Sequence, residues 1–343
     1  MPPEWAPHQA TWFSWPHNPD TWPTQLEATQ RALAEAVAAL SRHEHVHVNV
    51  LDQAHAEHVS RLLADDTVLE SVSFEPIPTN DAWCRDHGAI FVVDRNGRLT
   101  AMNFRFNAWG GKYPPFDLDD AVPPQMAACL GVPVVTVDHV LEGGSVDVNG
   151  AGALLTTSQC LLNGNRNPQR SKAEIEVLLY EYLGAEQVFW LGEGIVGDDT
   201  DGHVDDITRF VAEDTVITAV EPDAKDPNHR PLAENRELLD TFRLADGRPL
   251  KVVELPMPEP VSNGRDRLPA SYANFYIANG LVLVPVFGSD RDADALAVIG
   301  DCFAGREVVA IDCRDVVVGL GTLHCLSQQV PAVRGPAIDS AGR

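Results

Sequence analysis

Helix-forming stretches recur along this chain at a nearly even interval, with two or three short apolar runs between each pair. Their starts at Gln53, Asp120, Ser171, Pro231 and Ser289 lie 67, 51, 60 and 58 residues apart. Apolar residues fall three or four apart within each, as an amphipathic helix requires. The runs between them, such as GAIFVV, VPVVTV, TVITAV and LVLVPVF, are rich in β-branched strand formers. A doubly wound sheet would show one strand per helix, which is too few here. The cadence predicts an α/β chain of five ββαβ-like modules arranged around a pseudo-axis, although the modules share no visible sequence similarity.

Local signals place the helix ends. Thr24 with Glu27 reads as a capping box before LEATQRALAEAVAAL, and Ser171 with Glu174 as another before IEVLLYEYLG, which Gly184 should stop. Further helices are expected over 53–64, 120–130, 231–242 and 289–303. No Ser/Gly tract divides the chain, so residues 1–343 are read as one unit. The most loop-like stretch, PMPEPVSNGRDRLPAS at 256–271, is the candidate lid.

Charge narrows the partners. Fifty acidic against 25 basic residues give a formal charge of −25, which repels nucleic acid and anionic membranes and draws small cations. Six cysteines without a CxxC pair fit reduced thiols better than a disulfide scaffold or a zinc ribbon. The N-terminus has no basic and apolar leader, and no run approaches the roughly 18 apolar residues of a membrane span. The expectation is a cytoplasmic protein without membrane partners; monomer and homo-oligomer are both left open.

Four polar segments interrupt the apolar pattern. NDAWCRDHG carries Trp83 and Asp86, LEGGS carries Glu142, GDDTDGHVDD carries Asp199, His203 and Asp205, and Cys325 follows VVVGLGTLH. Alternation along a strand would put His203 and Asp205 on one face. These are the parts that hydrolysis of a guanidinium demands. That group is planar and charged, so carboxylates must hold it in a fork before a nucleophile attacks its carbon. A thiol of ordinary pKa needs a nearby cation to become thiolate. A His then protonates the departing ammonia and takes a proton from water.

Other chemistries fit less well. GDDTDGHVDDIT resembles an EF-hand, but its first and twelfth positions are Gly197 and Thr208, so two ligands are missing. His43, His45 and His47 alternate as a metal stripe would, yet Val46, Val48 and Val50 are the natural core face, leaving the imidazoles to solvent. GLGTLH lacks the third Gly and the acid of a dinucleotide site, and no GxSxG elbow is present.

The ordered set WAPHQATWFSWP, NDAWCRDHG, LEGGSVDVNG, LLTTSQCLLNGNRNP, TDGHVDD, SYANFYIANG, VPVFGSDRDADA and HCLSQQVPA resembles the agmatine deiminase family of the guanidine-modifying superfamily, nearly end to end. The resemblance implies a five-bladed α/β pentein propeller with a central site and a part in polyamine biosynthesis. It implies Cys325 as nucleophile, His203 as general acid and base, and Glu142 orienting His203. Asp86 and Asp205 would clamp the guanidinium, Trp83 would pack on the substrate's stem, and Asp199 would lie within the site. No metal or organic cofactor is implied, and the substrate would be a small guanidino compound, by default agmatine.

The chain departs from the family pattern at Cys84, His87 and Ala89, at Asp199 where Glu is usual, and at Leu320 and Thr322 beside the thiol. The acids Asp198, Asp199 and Asp201 favour a substrate with a second positive charge. The loops at 107–120 and 256–271 would read its tail. The alternatives are action on another guanidino compound, amidino transfer, or a non-catalytic binding propeller.

Overall fold

Strands apolar on both faces must be covered on both, and here they form the middle of five small sheets. The computed structural model describes residues 1–63 and 65–333. Its first sheet holds β1 (His8–Ser14), β2 (His45–Asn49) and β3 (Val72–Glu75), and the second holds β4 (Ile90–Val93), β5 (Leu99–Arg105) and β6 (Val134–Val140). The third holds β7 (Asp147–Val148), β8 (Ala153–Thr157) and β9 (Gln187–Leu191). The fourth holds β10 (Thr208–Ala212), β11 (Thr215–Val220) and β12 (Lys251–Pro256), and the fifth β13 (Tyr276–Ala278), β14 (Leu281–Val286) and β15 (Glu307–Asp312). The last strand, β16 (Ser327–Pro331), returns to the first sheet and pairs antiparallel with β1, from His8 opposite Pro331 to Phe13 opposite Ser327.

All five sheets repeat one grammar: an antiparallel pair, then a parallel neighbour. Parallel neighbours need a crossover, and a helix supplies each one. α1 (Leu26–Ser41) joins β1 to β2, and α2 (Gln53–Leu62) joins β2 to β3. α3 (Val122–Leu130), α4 (Lys172–Leu183), α5 (His229–Thr241) and α6 (Asp292–Cys302) serve the other four sheets. The five expected modules are therefore present, with one reassignment. The helix of the first module is α1, whereas α2 adds a fourth strand to that sheet.

Helix ends follow local chemistry with two corrections. α4 has its capping box: Ser171 Oγ accepts from the Glu174 N–H, Glu174 Oε2 accepts from the Ser171 N–H at 2.7 Å, and Gly184 ends the helix in the left-handed conformation. Thr24 does not cap α1. The helix starts one residue later, from Gln25, and rests on the burial of Leu33, Ala36, Val37 and Leu40. The helix expected over 120–130 divides, because Pro123 and Pro124 have no N–H to give to a preceding turn, and α3 starts at Val122. Ala64, the end of the range expected for α2, and residues 334–343 of the expected single unit lie outside the described residues.

The imidazole stripe also differs from expectation. Val46, Val48 and Val50 are buried, but His47 stacks on Trp12 with ring centroids 4.3 Å apart and pairs with Glu75 at 2.8 Å. The ring covers an indole and is mostly buried. Among the described residues no helix is long and apolar enough to cross a membrane.

A buried ionic cluster joins segments from opposite ends of the chain. Glu4 Oε2 lies 2.8 Å from His324 Nε2 and 3.2 Å from Arg85 Nη2. Its Oε1 accepts from the Ile277 N–H at 2.8 Å and lies 3.0 Å from Arg209 Nη2. Arg209, fully buried, also donates to Asp147 Oδ2 at 2.5 Å and to the Phe275 carbonyl at 2.9 Å. Burial alone would raise the Glu4 pKa, but Arg209, His324 and Arg85 together hold it well below the ordinary range.

Removing one partner of such a pair strands the others, at a cost of about 3–5 kcal/mol. Glu4→Ala is expected to lower the unfolding free energy by about that amount in urea titration. Since the folded pKa of Glu4 is depressed, its contribution is present above the unfolded value and lost as pH falls. The gap between wild type and Glu4→Ala should therefore narrow on acidification.

Candidate active site

Two single helical turns and two tight loops bring the polar residues together. Asp86 stands in the turn Cys84–His87, where its Oδ1 accepts from the Gly144 N–H and its Oδ2 from Trp109 Nε1, both at 3.0 Å. Glu142 opens the turn Gly143–Ser145, and its Oε1 accepts from Arg166 Nε at 2.6 Å. The glycine at 144 is required by what surrounds it. A Cβ there would lie 2.6 Å from His203 Nδ1, 2.9 Å from Asp86 Oδ1 and 3.0 Å from Asp205 Oδ2.

His203 and Asp205 do not lie on a strand. They flank and occupy the 3-10 turn Val204–Asp206, ahead of β10. The Asp198 carboxylate causes this by accepting from the N–H groups of Thr200, Gly202 and His203, and positive φ at Asp201 and Gly202 wraps the loop. Both side chains still reach the space over Gly144. His203 Nδ1 is 3.7 Å from Asp86 Oδ1 and its Nε2 is 4.0 Å from Glu142 Oε2. Neither ring nitrogen has a hydrogen bond, nor do Glu142 Oε2 and Asp205 Oδ1. Burial would depress the His203 pKa, but Asp86, the Cys160 thiol and Asp205 drive it well above the ordinary imidazole value.

Cys325 occupies the turn Leu323–Leu326, with Sγ 3.8 Å from Asp205 Oδ2. Asn274, unassigned at sequence level, donates from Nδ2 to this sulfur at 3.0 Å and to Asp206 Oδ1 at 2.9 Å. Its Oδ1 accepts from Thr322 Oγ1 at 2.8 Å and from the His324 N–H at 3.1 Å, which fixes the amide's orientation. Burial first, then Asp205, Asp206 and Asp86, push the Cys325 thiol well above the usual range, and the Asn274 contact opposes them. His324 holds Asp205 from behind at 2.6 Å, linking it to Glu4.

Trp83 seals one side. It packs on Trp22 with centroids 5.3 Å apart, and a Cβ at Gly321 would meet its ring at 2.6 Å and Cys325 Sγ at 3.2 Å. Leu320 takes the left-handed conformation that the family's Gly would adopt, with φ 74°, so the turn keeps its glycine-type backbone. A cleft of about 680 Å³ opens outside Trp83, bordered by Asp81, Lys112, Tyr113, Asp199 and Leu320.

The structure thus brings Asp86, Glu142, His203, Asp205 and Cys325 together, sets Trp83 against them and leaves Asp199 at the cleft. The three acids expected to serve a second charge are not equivalent. Asp198 is consumed by its own loop, and Asp201 pairs with Arg166 at 2.7 Å and Lys112 at 2.9 Å. Asp199 accepts from the Tyr113 hydroxyl. Of the two loops expected to read the tail, 107–120 borders this cleft and 256–271 contributes no lining residue to it.

Residues 1–331 match the family described as Porphyromonas-type peptidyl-arginine deiminase. An agmatine deiminase of Pseudomonas aeruginosa is 39% identical, over 97% of this chain and 96% of its own. This chain belongs to the agmatine deiminase family. The solved agmatine deiminase of Enterococcus faecalis superposes with a TM-score of 0.91 at 34% identity, covering 96% of this chain and 95% of that one. A C. jejuni agmatine deiminase carrying a cysteine-to-serine substitution, solved with substrate bound, gives 0.88 at 33% identity, covering 96% of each chain. The five sheets of this family member are therefore the blades of a pentein.

Buried and with acids around it, the Cys325 thiol should resist neutral alkylating agents. Its iodoacetamide labelling rate, read by peptide mass spectrometry, is expected to be low at neutral pH and still rising above pH 9, the ordinary thiol value.

Proposed function

We propose that this family member is a deiminase that hydrolyses agmatine to N-carbamoylputrescine and ammonia through a covalent adduct on Cys325. One observation carries the reading: a buried thiol and imidazole are enclosed by Asp86, Glu142, Asp205 and Asp206, and several of their polar atoms have no partner. The group that complements such a pocket is a flat cation with N–H donors on its edges. The enzyme class is hydrolase action on the C–N bonds of linear amidines.

Asp86 and Asp205 flank the guanidinium, and its charge offsets the acids that hold the Cys325 proton, so that proton passes to solvent as substrate enters. The thiolate attacks the guanidinium carbon and a C–S bond forms. His203, protonated because of its carboxylate neighbours, gives its proton to the leaving nitrogen as the C–N bond breaks, and ammonia departs. Neutral His203, oriented by Glu142, takes a proton from water while the hydroxide adds to the thiouronium carbon. The C–S bond then breaks and the ureido product forms. The second proton of that water goes to solvent, balancing the one ammonia takes up.

Trp83 packs along the tetramethylene stem, and Asp199 with Tyr113 meets the terminal amine in the cleft. The names of the relatives support agmatine as substrate, and Asp81 and Asp199 in the cleft favour an ammonium over a carboxylate tail.

Four outcomes are expected. Cys325→Ser should lose ammonia release by at least about 10³-fold, and wild type should form N-carbamoylputrescine from agmatine faster than citrulline from arginine, by chromatography of products. Cationic chloroacetamidine should label Cys325 at least about tenfold faster than iodoacetamide, because its charge stabilises the thiolate. Burial, with Asp205 and Glu142 adding to it, raises the Asp86 pKa although His203 opposes the shift, so Asp86 stays protonated to a higher pH than an exposed Asp. The acid limb of the kcat/KM profile should accordingly lie above the usual aspartate range and fall as pH drops.

A further inference from the structure

The reaction described above makes no use of Cys160, which is nonetheless buried against its machinery. Cys160 Sγ, a ring nitrogen of His203 and a carboxylate oxygen of Glu142 all lie within 4.8 Å of one another, and all three residues are fully buried. His203 Nε2 and Glu142 Oε2, 4.0 Å apart, have no hydrogen-bond partner. One thiol, one imidazole and one carboxylate form a ligand set that zinc takes, at separations that a small contraction brings to tetrahedral coordination.

The surroundings are those of a metal site too. A ligating imidazole characteristically directs its other nitrogen to a carboxylate, and a ligating carboxylate is itself held by a donor. His203 Nδ1 faces Asp86 Oδ1 at 3.7 Å, and Arg166 Nε holds Glu142 through the opposite oxygen, Oε1, at 2.6 Å.

We propose that Cys160, His203 and Glu142 form an inhibitory zinc site, in which the ion replaces the Cys160 proton and occupies the atoms of His203 and Glu142 that the reaction needs. Binding sends the Cys160 thiol proton and the His203 imidazolium proton to solvent. The inhibition, unlike the binding, rests on the function proposed above, and zinc and guanidino substrate are then mutually exclusive. Cys325 takes no part. That separates this site from the other cluster of sulfur and carboxylates nearby, Asp205, Asp206 and Cys325.

The test uses Co2+ as a spectroscopic substitute for Zn2+, with the full chain and no substrate, so that it is independent of turnover. Wild type and Cys325→Ser are expected to show the near-ultraviolet thiolate-to-cobalt charge-transfer band, bleached by one equivalent of Zn2+, and Cys160→Ser is expected to lack it. Cys160→Ala, with its melting temperature recorded, guards against misfolding of the serine variant. In turnover assays, half-inhibition by Zn2+, relative to each variant's own metal-free rate, should require at least roughly tenfold more ion in Cys160→Ser. A band absent from wild type, surviving in a folded Cys160 variant or lost in Cys325→Ser overturns the assignment.

Discussion

Charge balance around the buried carboxylate of Glu4 is the constraint on which this fold and its site both depend. An ionised carboxylate out of water is tolerated only when paired, and Glu4 is met by Arg85, Arg209, His324 and the Ile277 N–H. Those partners belong to three different blades and to the turn carrying Cys325. Arg85 precedes Asp86, and His324 both precedes Cys325 and grips Asp205. The two arginines are thus gathered behind the candidate site. In front of them the acids are left with polar atoms unused.

That division explains what was legible in the sequence. The module count follows from hydrophobic periodicity, which the burial of each blade's central strands enforces locally. The ends of α4 were legible because Ser171, Glu174 and Gly184 act within one turn. Thr24 failed as a cap because the packing of α1 sets its start at Gln25, which makes no side-chain cap hydrogen bond. The fold class and the segments bearing Asp86, Glu142, His203 and Cys325 stood out as polarity against an apolar background.

What escaped the sequence is contact between distant segments. Asn274 looks like any polar residue in SYANFYIANG until its amide is seen between Thr322, Asp206 and the sulfur. Asp198 and Asp201 read as free charge, yet backbone N–H groups and Arg166 absorb them. The departures from the family pattern find local accommodation. Thr322 steadies Asn274, Leu320 keeps a glycine-type turn, and His87 faces Asp119 at 3.6 Å and Ser14 at 2.9 Å, which ties the Asp86 turn to the segment bordering the cleft.

The pairing of β16 with β1 bears on how the enzyme comes into being during synthesis. Four blades are each encoded by a contiguous stretch of chain. The remaining blade waits for its antiparallel partner at Ser327–Pro331, and the sulfur lies two residues upstream of that partner. A ribosome-bound chain therefore carries a ring without its clasp and a thiol without its neighbours. The segment that closes the ring is therefore the one that also carries the sulfur into place.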